Sequence, residues 1–89
     1  METNNNFEEL NRVLGFEFNK YILFHPNILE EIPTGAQIIF QIENNHDFNL
    51  WNKTVNERQR ESGQPFVFVH IGRLLPATSR LENLHIEGA

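Results

Sequence analysis

The sequence contains no cysteine and few basic residues. None of its 89 residues is a cysteine, and only seven are lysine or arginine, against twelve aspartate and glutamate residues. Without cysteine the chain has no disulfide, no thiolate nucleophile and no cysteine-based zinc site. The net charge of −5 disfavours nucleic acid as a partner, because general nucleic-acid binding requires a field of lysine and arginine.

Long hydrophobic runs and metal-binding motifs are also missing. No segment approaches the roughly 20 apolar residues that span a bilayer, so no membrane partner is expected and the protein is predicted to be soluble and cytoplasmic. Four histidines are present, but their spacing matches no local metal-ligand signature. We therefore predict neither a metal site nor a cofactor.

What the sequence does contain is two hydrophobic strands separated by a helix-length segment. Ala36–Ile42 and Phe66–Ile71 are rich in β-branched and aromatic residues, and Asp47–Ser62 between them has the pattern of an amphipathic helix. Strands joined by such a crossover pair in parallel, with a right-handed connection. The second strand is apolar on both faces, so we expect both faces to be covered and Phe68 to lie in the core.

A helix is predicted before this βαβ unit. From Phe7 to Phe24 apolar residues recur every three or four positions, as on one face of a helix. The helix should end at His25-Pro26, because proline pushes the preceding residue out of helical geometry. Residues 1–6 are polar and are expected to form a frayed lead-in.

The C-terminal residues complete the predicted domain. Residues 76–89 form a tail that begins with a loop, and the alternation of Leu84 and Ile86 with polar residues allows a third strand within residues 81–86. Residues 1–89 are therefore predicted to form one small α/β domain, with an N-terminal helix and a small parallel sheet. An α+β arrangement is the alternative.

In the order of these segments, the chain resembles an uncharacterised family of short bacterial and archaeal proteins, a domain of unknown function. The resemblance extends from about Phe7 to Leu81 and implies no mechanism or catalytic residue. It rests on five short segments, which are Phe18–Tyr21, His25-Pro26, Ile32-Pro33, Gly63-Gln64-Pro65 and Ser79-Arg80-Leu81.

Polar residues gather where the two predicted parallel strands end. Ligands of open α/β sheets bind beyond the carboxyl ends of the strands, so this edge is the predicted site. The candidate ligand-binding residues are Glu43, Asn45, His46 and Asp47 after the first strand and Arg73 after the second. The loop contains no glycine that would let a phosphate approach the backbone. In the structural alternative, Asn45 or Asp47 only caps the following helix.

Two functions of different class remain open. We first predict a non-enzymatic protein-interaction or regulatory module, because the chain is short and contains no convincing catalytic motif. Two strands alone leave unpaired edges, which favours a homodimer or a protein partner. The alternative is a small-molecule-binding domain or minor enzyme that uses the Glu43–Asp47 loop with Arg73.

Overall fold

The computed structural model describes residues 2–75 and 81–88, which fold as a small α+β domain. Two helices and a mixed sheet account for the fold, and the predicted N-terminal helix and parallel strand pair are both confirmed. In chain order the elements are α1 (Glu2–Phe24), a short 3-10 helix (Pro26–Glu31), β1 (Gln37–Ile42), α2 (His46–Gln59), β2 (Phe66–Ile71), β3 (Arg73–Leu74), β4 (Leu81–Glu82) and β5 (His85–Gly88).

Three strands form the main sheet, in the order β1-β2-β5. β1 and β2 are parallel, with Ile39 opposite Phe68, and β5 runs antiparallel to β2, with His85 opposite His70. The third strand allowed by the tail is therefore present, but at His85–Gly88 rather than within residues 81–86. Leu81 and Glu82 pair instead with β3 in a separate two-stranded sheet. The loop predicted at the start of the tail, residues 76–79, lies outside the described residues.

Both helices begin at residues other than those predicted. α1 begins at Glu2, whereas the sequence analysis assigns residues 1–6 to a frayed lead-in. The polar residues before Phe7 add no apolar periodicity, so the pattern alone does not reach the start of the helix. α2 covers His46–Gln59 rather than Asp47–Ser62, and Arg60 ends it with an extended backbone.

Most of the core lies on one face of the main sheet, and Ile39, which is also fully buried, stands on the other face opposite Phe68. Val67, Val69 and Ile71 of β2 are fully or almost fully buried and pack with aromatic side chains from β1 and both helices. The rings of Phe18 and Phe40 meet edge to face at 5.6 Å. Phe48 of α2, which is completely buried, extends this cluster toward Phe7 of α1, whose ring lies 5.8 Å away. The rest of the buried cluster consists of Leu14 and Leu81.

The other face of β2 is partly buried, and the prediction that Phe68 lies in the core is wrong. Burial alternates along the strand, and Phe68 points away from the core cluster. The reason is the position of α2, which packs mainly against β1 and does not cross over β2. An apolar run of this kind predicts a strand well, but it does not show which face of the strand the neighbouring elements cover.

The outer edge of β1 is covered by asparagine side chains of α2. The Asn49 carboxamide accepts from the Ile42 N–H at 2.7 Å and donates to the Ile42 carbonyl at 2.8 Å. The Asn52 Nδ2 atom donates to the Phe40 carbonyl at 3.0 Å. Alternate residues of β1 turn these backbone groups away from β2, so α2 takes the place of a neighbouring strand.

Replacing Asn52 tests this covering of the edge. Asn52 is 1% exposed, and alanine there would leave the Phe40 carbonyl without this donor. We expect Asn52→Ala to lower the free energy of unfolding by about 1–3 kcal/mol, the cost of a buried unsatisfied group. Asn19→Ala, on the exposed surface of α1, is the control, since both changes gain similar helix propensity. Equal urea midpoints for the two variants would contradict the stabilising role of Asn52 at the edge of β1.

Two phenylalanines of β2 and α2 should differ in their contribution to stability. Phe48→Ala removes a fully buried ring and should cost about 3–5 kcal/mol, whereas Phe68→Ala should cost less than about 2 kcal/mol. Urea denaturation of the two variants gives the comparison. Equal losses would show that Phe68 belongs to the core after all.

Candidate functional site

A cleft of about 440 Å³ lies at the carboxyl ends of β1 and β2, the edge at which the sequence predicts a site. Its walls come from the ends of both strands, the start of α2 and the segment between β4 and β5. The polar lining residues are Gln41, Glu43, Asn44, Asn49, His70, Asn83 and His85, and the others are Ile42, Ile71 and Gly72.

Of the five predicted site residues, Glu43 alone lines this cleft. Asn45 caps α2, because its Oδ1 atom accepts from the Phe48 N–H at 3.3 Å. Asp47 lies in the first turn of the same helix, after His46. Asn45 therefore caps the helix, as the structural alternative expects, and ligand binding by Asn45, His46, Asp47 and Arg73 stays a prediction.

Arg73 is directed to a different partner. Its Nε atom lies 2.9 Å and its Nη2 atom 2.7 Å from the Glu82 Oε1 atom, so the guanidinium pairs across the β3–β4 ladder. Arg73 does not line the cleft. The sequence predicts that Arg73 follows β2, but it does not reveal the pairing partner, Glu82, which lies nine residues further along the chain.

Two histidines that the sequence analysis did not assign to the site stand side by side in it. The rings of His70 and His85 stack with centroids 4.7 Å apart and planes 16° from parallel. The His70 Nε2 atom lies 2.7 Å from the Glu87 Oε1 atom. The register of β2 with β5 brings these residues together, and only a correct assignment of β5 could have revealed them.

Sharp turns at two asparagines shape the cleft. Asn44 has φ of 68° and Asn83 has φ of 57°, and they are the only non-glycine residues with positive φ in the described part of the chain. Asparagine tolerates this left-handed region better than most side chains. Asn44 turns the chain between β1 and α2, and Asn83 turns it between β4 and β5. Asn44 belongs to the predicted loop, although it is not among the five selected side chains.

Gly72 allows the β3–β4 pair to close on the end of β2. Its N–H donates to the Glu82 carbonyl at 2.8 Å. A Cβ atom at this position would lie 2.5 Å from the Asn83 Cβ atom and 2.9 Å from the Glu82 oxygen, which is closer than real contacts allow. The glycine is therefore required for this side of the cleft to close.

Glu43 is the one carboxylate among the residues that line the cleft. Glu43 forms no ion pair with any residue among 2–75 and 81–88. The nearby backbone donors are occupied, since the Glu43 N–H donates to the Ile71 carbonyl at 2.9 Å and the Gly72 N–H to Glu82. Within these same ranges, no three histidine, aspartate or glutamate side chains are arranged to hold a metal ion.

A second candidate surface lies on α1, on the side opposite the core. Leu14 and Phe18 are buried against the sheet, whereas Phe16 is 62% and Leu23 is 76% exposed. Phe24, the last residue of the helix, is 80% exposed. We call Phe16, Leu23 and Phe24 the outer stripe of α1. It gives the helix a second apolar side that the domain itself does not cover.

Comparison with known proteins gives the family. The two helices, the mixed sheet and the carboxyl-end cleft define a small α+β domain, and none of its described helices has the length and apolar character needed to cross a membrane. Residues 6–84 match the model of DUF5647, a family of unknown function, and the chain belongs to this family. The resemblance noted in the sequence is thereby confirmed, while a bacterial or archaeal origin stays a prediction. No curated protein and no solved structure matches the chain.

Gly72→Ala tests the packing that closes the cleft. The added methyl group would overlap Asn83 and should lower the free energy of unfolding by about 1–3 kcal/mol. Gly88→Ala is a matched control, because a Cβ atom at Gly88 meets nothing within 4 Å. Its effect should stay within about 0.5 kcal/mol. Identical urea midpoints for the two variants would contradict the packing described here.

Proposed function

We propose that the protein is a non-enzymatic interaction or regulatory module that acts as a homodimer through the outer stripe of α1. The observation that supports this most is the exposure of Phe16, Leu23 and Phe24 on one helix. Clustered exposed apolar side chains mark interaction surfaces in monomeric domains. The acidic, cysteine-free composition agrees with a cytoplasmic location, which is part of the proposal.

The spacing of the outer stripe suits pairing with a second copy. Phe16 and Leu23 are seven residues apart, which is about two helical turns or 10 Å along the axis. In an antiparallel two-fold pair, Phe16 of one copy would pack against Leu23 of the other, and the contact would occur twice. Two-fold symmetry is the commonest closed arrangement of identical chains.

The proposed dimer forms through α1 and not through the edges of β1 and β2. One edge of β2 is paired with β1, and β5 of the same chain covers the other. Asn49 and Asn52 bind the outer edge of β1. Both edges of β2 and the Phe40–Ile42 part of the outer edge of β1 are therefore satisfied within one chain, and the proposed dimer rests on the apolar surface of α1.

Multi-angle light scattering tests the dimer. The wild-type chain should show twice the mass of one chain at micromolar concentration, and the double variant Phe16→Gln with Leu23→Gln should show the mass of one chain. Leu50→Gln is the matched control, because Leu50 is 57% exposed on α2 rather than on the outer stripe. This variant should remain dimeric.

Two results would contradict a homodimer formed through the outer stripe of α1. One is the mass of a single chain for the wild type across the whole micromolar range. The other is a dimer that survives in the double variant but dissociates in Leu50→Gln, which would assign the interface to α2. Circular dichroism confirms that each variant is folded, so that a change of mass reports association only.

Binding of a small molecule is a second candidate function, favoured by the cleft at the carboxyl ends of β1 and β2. Its volume of about 440 Å³ falls within the usual range for ligand sites. This candidate retains Glu43 from the sequence analysis. It replaces Asn45, His46, Asp47 and Arg73 by the other cleft-lining residues.

A further inference from the structure

We infer that the cleft binds a small organic cation, through an ammonium group held by the Glu43 carboxylate. The inference rests on the second candidate function and adds the chemical class of the ligand. It is independent of the outer stripe of α1. The unpaired carboxylate of Glu43 is its main support, and the hydrogen-bonding groups and the remaining lining of the cleft are compatible with it.

The charge of the cleft favours a cation. Glu43 is the one carboxylate of the lining, and no described lysine or arginine pairs with it. Glu87, beside the cleft, is already engaged with His70 at 2.7 Å. The net charge of the chain is −5, so its overall field also attracts positive ligands.

The hydrogen-bonding groups of the cleft can accept from a ligand that donates. The side chains of Asn44 and Asn83 line the cleft, and each carries an amide oxygen that accepts as well as an NH2 group that donates. The backbone N–H groups of Glu43 and Gly72 already donate to carbonyls at 2.9 and 2.8 Å. An ammonium group has three donors and no acceptor, so it can bind the Glu43 carboxylate and the amide oxygens together.

The apolar lining suits the carbon chain of such a ligand. Ile42, at the end of β1, is half-buried and lines the cleft, whereas the Ile71 side chain is 1% exposed and belongs to the core. The stacked rings of His70 and His85 also line the cleft. A short alkyl amine would place its charged end at Glu43 and its methylene groups against the accessible part of this lining.

Titration of the full chain with 1,4-diaminobutane, followed by amide NMR, tests the inference. The amide signals of Asn44, Gly72 and Asn83 should shift saturably. The neutral isostere 1,4-butanediol and the dianion succinate should shift them little. Glu43→Gln should weaken diaminobutane binding by about tenfold or more, as expected for the loss of one charge-assisted hydrogen bond.

The control variant separates the site from the general charge of the chain. Glu31→Gln removes one negative charge from an exposed position on the 3-10 helix, outside the cleft. Its affinity for diaminobutane should equal that of the wild type. Equal weakening by Glu31→Gln and Glu43→Gln would overturn the inference, because binding would then follow net charge alone.

The probes distinguish failure of the ligand class from failure of the site. If succinate or butanediol shifts the cleft amides and diaminobutane does not, a cationic ligand is overturned, whereas ligand binding in the cleft is still supported. If no probe shifts them, both the inference and the second candidate function are overturned.

Lysine blocked at both ends carries the same ammonium group as a protein side chain. If blocked lysine binds more tightly than diaminobutane, the inference that the ligand is a small free amine is overturned, because a lysine side chain of a protein would then be the better ligand.

Discussion

The pairing of α2 asparagines with the backbone of β1 is the interaction on which the rest of the structure depends. An edge strand presents unpaired N–H and carbonyl groups, and an adjacent strand normally satisfies them. Here Asn49 bonds both backbone groups of Ile42, and Asn52 bonds the Phe40 carbonyl. The helix is thereby fixed beside β1, with Phe48 directed into the core. The outer edge of β1 is thereby satisfied at Phe40 and Ile42, and β2 pairs with β5 on its other side.

This arrangement also determines where the cleft lies. Asn49 binds the last residue of β1, so the turn at Glu43 and Asn44 is held close to the end of the strand. Gly72 then allows the β3–β4 pair to close on the end of β2 from the opposite side. The cleft therefore lies between two segments whose positions follow from backbone hydrogen bonds. Its polar side chains are carried by these segments and by the paired strands β2 and β5.

Local patterns in the sequence predict the helices, the parallel strand pair and the edge that carries the cleft. β2 is predicted residue for residue, because its aromatic and β-branched run is bounded by clear turn residues. The site residues are predicted less well. His85 reaches His70 only through the register of a short terminal strand, and Arg73 turns to Glu82 across a second ladder. Such long-range pairings leave no periodic signal in a single sequence, and neither does the use of asparagine to cover a strand edge.

Amide hydrogen exchange at Ile42 tests the central claim most directly. In the wild type the Ile42 N–H donates to the Asn49 side chain and should exchange slowly. In Asn49→Ala that N–H should exchange much faster, whereas the Glu43 N–H, which donates to the Ile71 carbonyl, should remain protected. Unchanged protection of Ile42 in the variant would contradict the claim, because the edge of β1 would then be covered without the asparagine.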